Sequence, residues 1–279
     1  PLKSIDFMTL RIKDAVCDFF RERSGKRPSV EVRDPDIKIH LFIERDNFSL
    51  YLDASGDPLY QRGFRSATVE APIRENLAAG IIKLSGWEPG QAFLDPMCGS
   101  ATFLIEAALI ATNQAPGLKR NFGFMAWKNF DKPLFVSLKK YYQDAVIKKD
   151  FLRIYGSDKD LRAIRISKKN IVLAGFENNI QLACKQFSEI VPPLEGGVLV
   201  TNPPYGERIG EEDDLVDTYP NWATKLKQSF AGWTAYFLTN DLRMPKLMRL
   251  SPSKKTPLFN GALDCRLFEI KMVAGSNRK

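Results

Sequence analysis

Hydrophobic and polar positions change rhythm several times along this 279-residue chain. Over residues 1–24 the apolar side chains Leu10, Ala15, Val16, Phe19 and Phe20 recur at helical spacing and stop near Ser24-Gly25, which predicts an amphipathic helix. The rhythm then shortens to alternation. Residues 29–33 and 37–43 read as strands, and Asp46-Asn47-Phe48 turns the chain into another at 49–53. A helix with so small a sheet is not a complete independent domain, and is expected to be the C-terminal part of one. Residues 54–70 carry turn formers and arginines and read as a linker.

From residue 71 the pattern becomes regular. A helix with Pro72 near its start runs to about Ile82. A strand at 91–95 meets a turn of small residues, and a helix continues to about Asn113. Residues 115–150 read as an irregular insertion. Beyond it come a strand at 153–157 ending at Asp158, a helix at 160–174, a weaker strand at 180–183 and a strand at 197–200. A helix at 222–230, a strand at 235–239, a Lys/Arg/Pro loop at 243–257 and a strand at 263–273 complete the chain. Strands alternating with helices predict an α/β fold with a largely parallel, doubly wound sheet and ligands at the strands' carboxyl ends. Asp95, Asp158 and Asn202 each stand at such an end.

Two of these ends carry recognisable chemistry. After the apolar run 197–200, Thr201-Asn202-Pro203-Pro204-Tyr205-Gly206 stops the strand, because proline has a fixed φ and no N–H to pair onward. The stiff loop offers one amide side chain, backbone carbonyls and one aromatic ring, the groups needed to hold a flat base by its exocyclic NH2. Asn-Pro alone would suit an ordinary turn; the second proline and Tyr205 favour a catalytic role. The turn Asp95-Pro96-Met97-Cys98-Gly99-Ser100 lacks the three glycines of a dinucleotide fingerprint and places a carboxylate where a diphosphate would sit. A carboxylate there suits an amine, and Asp158 suits a ribose diol. Either aspartate alone could be a helix cap; together with Gly99 they describe a site for S-adenosylmethionine.

Composition narrows the field. No signal peptide and no run long enough to span a bilayer is read, and a cytoplasmic protein is expected. Cys17, Cys98, Cys184 and Cys265 are scattered and His40 is the only histidine, which argues against a zinc cluster or a disulfide framework, so no metal is expected. His40 is given a structural role. The chain opens on Pro1, as a fragment or processed chain would. Of the net charge of +8, residues 225–279 contribute all: 11 basic against 3 acidic side chains. Such an excess suits a phosphate backbone, although a merely solvated basic end is equally compatible.

Residues 95–102 resemble the first motif of class I S-adenosylmethionine-dependent methyltransferases, and Asn202-Pro203-Pro204-Tyr205 resembles their amino-methylating signature. Together with Asp53-Ala54-Ser55-Gly56, Arg62-Gly63-Phe64-Arg65, the stretches 71–75 and 122–127, residues 202–208, and Asn260-Gly261-Ala262-Leu263-Asp264-Cys265, the chain is similar to bacterial THUMP-domain enzymes that methylate guanine N2 in large-subunit ribosomal RNA. The likeness runs from about residue 37 to 271. It implies a seven-stranded, Rossmann-like sheet, mostly parallel with an antiparallel C-terminal strand. It implies residues 1–55 as the end of a THUMP RNA-binding domain, 56–70 as a linker and 71–279 as the methyltransferase domain. Asp95, Pro96, Cys98, Gly99 and Ser100 would line the methionine end of the cofactor, Asp158 would hold the ribose, and Glu75 lies in the segment that closes over it. The adenine-reading Asp usual after the third strand is missing, and Gln186 is the substitute at hand. Asn202, Pro203, Pro204 and Tyr205 would form the catalytic pocket for a flipped base. Ribosomal RNA is the partner implied, and a monomer or weak dimer is expected. An adenine-N6 nucleic-acid methylase, a glutamine methylase and a catalytically silent RNA-binding module are the alternatives; the basic C-terminal region weighs against a protein acceptor.

Overall fold

The computed structural model describes residues 4–33, 35–64, 73–204 and 211–275, with the backbone alone for 211–217. It divides into two units, one formed by residues 1–58 with 121–136 and the other by 59–120 with 137–279.

In the first unit, α1 (Ile5–Ser24) begins at Ser4, whose hydroxyl accepts the Phe7 N–H, and ends at Gly25 in the left-handed region. β1 (Ile39–Glu44) and β2 (Asn47–Leu52) pair antiparallel, closing at Glu44↔Asn47. The strand expected at 29–33 does not form. The Glu31 carboxylate accepts the backbone N–H groups of Val32 (2.8 Å) and Arg33 (3.0 Å), donors that a ladder would need. The His40 ring lies 3.8 Å from the Asp53 carboxylate.

The segment expected to be irregular folds in two pieces. A 3-10 turn (Gly123–Ala126) lies against the 53–56 turn, and α4 (Lys132–Asp144) follows. Asp53 Oδ1 accepts from the Ser55 and Gly56 N–H groups, and the Phe124 N–H donates to the Ala54 carbonyl. A Cβ on Gly123 would stand 2.7 Å from the Asp53 carbonyl oxygen, so only glycine fits. Phe122, Phe124, Phe130 and Phe135 then cluster, with ring centroids 5.2 to 6.2 Å apart.

The second unit carries α2 (Glu75–Leu84), β3 (Ala92–Asp95), α3 (Thr102–Ala111), β4 (Ile154–Asp158), α5 (Leu161–Ala174), β5 (Ile180–Cys184) and β6 (Gly197–Thr201). After these come α6 (Glu211–Ser229), β7 (Trp233–Thr239), α7 (Met244–Met248), β8 (Lys254–Asn260) and β9 (Leu263–Lys271). The strands form one seven-stranded sheet ordered β5-β4-β3-β6-β7-β9-β8, parallel from β5 to β7, with β9 antiparallel to both its neighbours. The expected fold class is the one observed. Two expected boundaries change. The stretch read as a basic loop contains α7 and β8; Pro257 is tolerated there because β8 is an edge strand and needs no second partner. α6 starts well before residue 222 and runs through Pro220, the burial of Tyr219, Trp222, Ala223 and Leu226 outweighing a lost backbone bond.

Side chains alternate across the sheet between two cores. Phe93, Val198 and Val200 pack with Ile81, Leu104 and Ile171 of α2, α3 and α5. Leu94, Leu199 and Phe237 pack with Trp222 and Leu226 of α6. α3 is buried almost all round, which explains an apolar sequence without a stripe. Its one carboxylate, Glu106, accepts from Arg62 Nε at 3.2 Å.

Gly123→Ala should cost the first unit about 1–3 kcal/mol, because the added methyl meets backbone rather than a movable side chain. Amide hydrogen exchange should show protection lost across residues 39–56, with the seven-stranded sheet unchanged.

Candidate active site

The chain leaves β3 toward β4 on one side and returns as β6 on the other, so the sheet reverses its winding between β3 and β6. Crevices at such reversals, outside the carboxyl ends, take ligands in open α/β sheets. Asp95 ends β3, Asp158 ends β4, and Asn202 directly follows β6. The register sets Leu94 beside Leu199 and Asp95 beside Gly156, so all three polar residues issue from adjacent strand ends.

Asp95 is 2 % exposed. Its Oδ1 accepts from the Met97 N–H at 3.1 Å and from Thr201 Oγ1 at 2.9 Å. Among the described residues no lysine, arginine or histidine pairs with it. Burial therefore pushes its pKa up to about 7; the two hydrogen bonds oppose the rise, and the charge of Asp158 adds to it. A buried carboxylate with no cation beside it is the chemistry of a pocket for a ligand amine, so the residues present fit an amine-bearing nucleoside.

The following loop is held from β4 and α5. The Cys98 N–H donates to the Ser157 carbonyl (2.9 Å), the Gly99 N–H to Asp158 Oδ2 (3.0 Å), and Ser157 Oγ to the Pro96 carbonyl (3.3 Å). From α5, Ser167 Oγ donates to the Gly99 carbonyl (2.8 Å) and Asn170 Nδ2 to the Ser100 carbonyl (3.0 Å). Gly99 (φ 52°) and Ala101 (φ 68°) both stand in the left-handed region; for alanine this is strain that the surrounding bonds sustain. Cys98 is buried with Sγ 3.7 Å from Ser167 Oγ, and burial together with the Asp95 charge drives its thiol well above the usual range. It packs the loop and is no thiolate nucleophile. Ser100 is buried, its hydroxyl 3.4 Å from that of Thr102.

The other expected residues fall as follows. Glu75 is buried in the first turn of α2. Asp158 Oδ1 accepts the Asp160 N–H, and the Lys185 N–H donates to the Asp158 carbonyl, which brings exposed Gln186 beside the end of β4. The Gln186 N–H is engaged by Glu189 Oε2 at 3.1 Å. Asn202 is half-buried, Pro203 buried and Pro204 exposed, while Tyr205 lies outside the described residues. Three polar residues escaped the sequence reading: Thr201, Ser167 and Asn170. The last two had a legible signal, because helical spacing sets them on the same buried face of α5 as Ala163, Ile164, Ile171 and Ala174.

Residues 62–269 match the family described as RMKL-like, methyltransferase domain, and residues 2–53 match the THUMP domain. A ribosomal RNA large subunit methyltransferase K/L from Psychromonas ingrahamii is 41 % identical over 272 residues, which is 95 % of this chain and 36 % of that protein. The chain thus spans less than half the length of the curated relatives it matches. Among solved structures, SMU.472, assigned as a methyltransferase and complexed with SAH, is 33 % identical with a TM-score of 0.84, covering 95 % of this chain and 70 % of that one. A protein of Listeria monocytogenes described as a predicted N6-adenine-specific DNA methylase is 31 % identical with a TM-score of 0.87, covering 97 % and 70 %.

The ionisation of Asp95 makes the ligand-free protein pH-sensitive in a definite direction. Its folded pKa of about 7 lies above the ordinary 3.8, so the native state binds the proton more tightly than the unfolded chain. Stability from this group therefore falls as pH rises from about 4 to 7 and stays low above that. Asp95→Asn should melt at a higher temperature than the parent at pH 8, with the difference shrinking steadily toward pH 5 in thermal denaturation.

Proposed function

This chain belongs to the RMKL-like methyltransferase family, and we propose that it transfers a methyl group from S-adenosylmethionine to the exocyclic N2 of a guanine in large-subunit ribosomal RNA. What supports it above all is that Asp95, Asp158 and Asn202 stand at the carboxyl ends of adjacent strands where the sheet reverses its winding, with no cation beside the buried Asp95 carboxylate among the described residues. The rRNA methyltransferase named among its relatives, the SAH held by a structural neighbour and the THUMP match support the same assignment. In this reading residues 1–55 are the end of the THUMP domain, 56–70 a linker and 71–279 the catalytic domain. No helix among the described residues is long and apolar enough to cross a membrane, and an rRNA acceptor puts a monomer or weak dimer in the cytoplasm.

S-adenosylmethionine, when bound, supplies an electrophilic methyl group on a sulfonium centre. Asp95 takes the ligand's amine, Asp158 the ribose hydroxyls, and the loop of Pro96, Cys98, Gly99 and Ser100 shapes the methionine end. Glu75 closes one side and Gln186 lies toward the adenine. The acceptor nitrogen's lone pair is delocalised into the guanine ring. Asn202 Oδ1 and the Pro203 carbonyl each accept one of its N–H bonds, which draws the lone pair out of conjugation as the N–C bond forms and the S–C bond breaks. The methylated amine then releases a proton to solvent, so neither a strong general base nor a metal is called for. Pro204 stiffens the loop, and Tyr205 stacks on the base, a contact worth about 1–3 kcal/mol. A paired base cannot reach the loop, so the guanine arrives flipped or unpaired. Most of the rate then comes from positioning and electrostatics.

Incubation with methyl-labelled S-adenosylmethionine and large-subunit rRNA, followed by mass spectrometry of the nucleosides, should yield N2-methylguanosine. N6-methyladenosine instead would move the acceptor to adenine, and no methyl-nucleoside would leave only an RNA-binding module. Asn202→Ala should cut turnover by about 10²–10³-fold with SAH affinity nearly unchanged in calorimetry; equal losses in both would remove Asn202 from the acceptor side. Asp158→Ala should weaken SAH about 10- to 100-fold, and an unaltered dissociation constant would take Asp158 out of the site.

A further inference from the structure

Thr201 has no role in the reading above, yet it stands between the two halves of the site. It is the last residue of β6 and is wholly buried. Its hydroxyl donates to Asp95 Oδ1 at 2.9 Å across 106 residues of sequence, and the next residue is Asn202. We propose that Thr201 is a positioning residue that couples the donor pocket to the acceptor loop, its hydroxyl holding the Asp95 carboxylate and its backbone setting where Asn202 begins. The inference rests on the proposed function.

The physical basis is the strength of that bond in its two charge states. A hydroxyl bonds an ionised carboxylate more strongly than a neutral acid. In the ligand-free protein Asp95 titrates near 7. Among the described residues the titratable groups shown acting with it are Asp158 at the end of β4 and the Cys98 thiol in the loop, while β6 presents the neutral Thr201. A ligand amine docking against Asp95 favours the ionised form, so its arrival releases a proton to solvent and tightens the Thr201 bond. Because a β-branched side chain has restricted χ1 freedom, the tightened bond constrains the β6 terminus rather than a swinging rotamer. The donor thereby steadies the loop that receives the acceptor. Valine has the shape of threonine without the hydroxyl, so Thr201→Val removes the bond and keeps the packing.

Calorimetric titration with SAH from about pH 5.5 to 8.5, bracketing the Asp95 transition, tests the coupling. In the parent, affinity should rise about tenfold per pH unit below the transition and level off near 7. In Thr201→Val the levelling should move up by about one pH unit. At the high end of the range, where both proteins bind SAH alike, turnover of rRNA should still fall about tenfold with the KM for S-adenosylmethionine unchanged. Thr201→Ser should restore both behaviours. Thr201→Cys, a weak donor of similar size, should move the pH profile part of the way and serves if the valine protein folds poorly. A Thr201→Val or Thr201→Cys profile superimposing on the parent's, or a turnover loss in Thr201→Ser as large as in Thr201→Val, would overturn the proposal. A parent protein that does not bind SAH at all would defeat the methyltransferase reading instead.

Discussion

A carboxylate buried at the end of a parallel strand, with no described cation beside it, is the constraint around which the second unit is arranged. Both faces of such a sheet are covered by helices, so an ionisable group has room only where the strands end. Asp95 takes that position at a cost, since taking a charge out of water is unfavourable unless it is hydrogen-bonded or paired. The Met97 N–H and the Thr201 hydroxyl offset part of the cost; the rest remains as a pKa held near 7. The Met97 N–H can reach back to Asp95 only if the chain turns at once after the strand. That requirement shapes the loop from Pro96 to Ala101, including its two left-handed residues.

The loop is held by hydrogen bonds from within the second unit. Its carbonyls are tied to Ser157, Ser167 and Asn170, and its amides to the Ser157 backbone and the Asp158 carboxylate. Each tie comes from β4 or α5, elements fixed by their own burial. A loop supported in this way has little conformational freedom left to lose, which is what a binding role would require of it. Asp158 has two duties in this arrangement: one oxygen holds the Gly99 N–H and the other the Asp160 N–H. Cys98, the one cysteine in the loop, packs it rather than reacting.

The basic excess of residues 225–279 is partly a matter of sheet architecture. Lys254 and Lys255 open the edge strand β8, in register through β9 with Tyr236 and Phe237 and so with Val200 and Thr201 at the end of β6, and Lys255 Nζ lies 5.7 Å over the Phe268 ring. Lysines and a proline on an edge strand discourage further strand pairing. Arg243 and Arg266, nearer the carboxyl ends, are each bonded to an aspartate two residues away. These two pairings reduce the charge that the basic excess can offer a phosphate backbone, whereas no such carboxylate pairing is seen for Lys254 and Lys255 among the described residues.

Most of the element order, the two motif loops and the strand ends that carry Asp95, Asp158 and Asn202 were legible in the sequence. Proline, glycine and apolar periodicity act within a few residues, and their effects do not wait on distant partners. Where a local signal failed, a competing contact explains it: Glu31 capturing two amides removed a strand, and a shared backbone contact at Gly56 and Gly123 drew residues 121–136 into the first unit. By itself, then, the sequence determined which residue types stand at which turns. Only the tertiary structure decided that Thr201 would meet Asp95, that Ser167 and Asn170 would hold the loop, and that Asp95 would titrate near neutrality. Those outcomes depend on burial and strand register, which arise between segments dozens of residues apart and exist only once the sheet has closed around them.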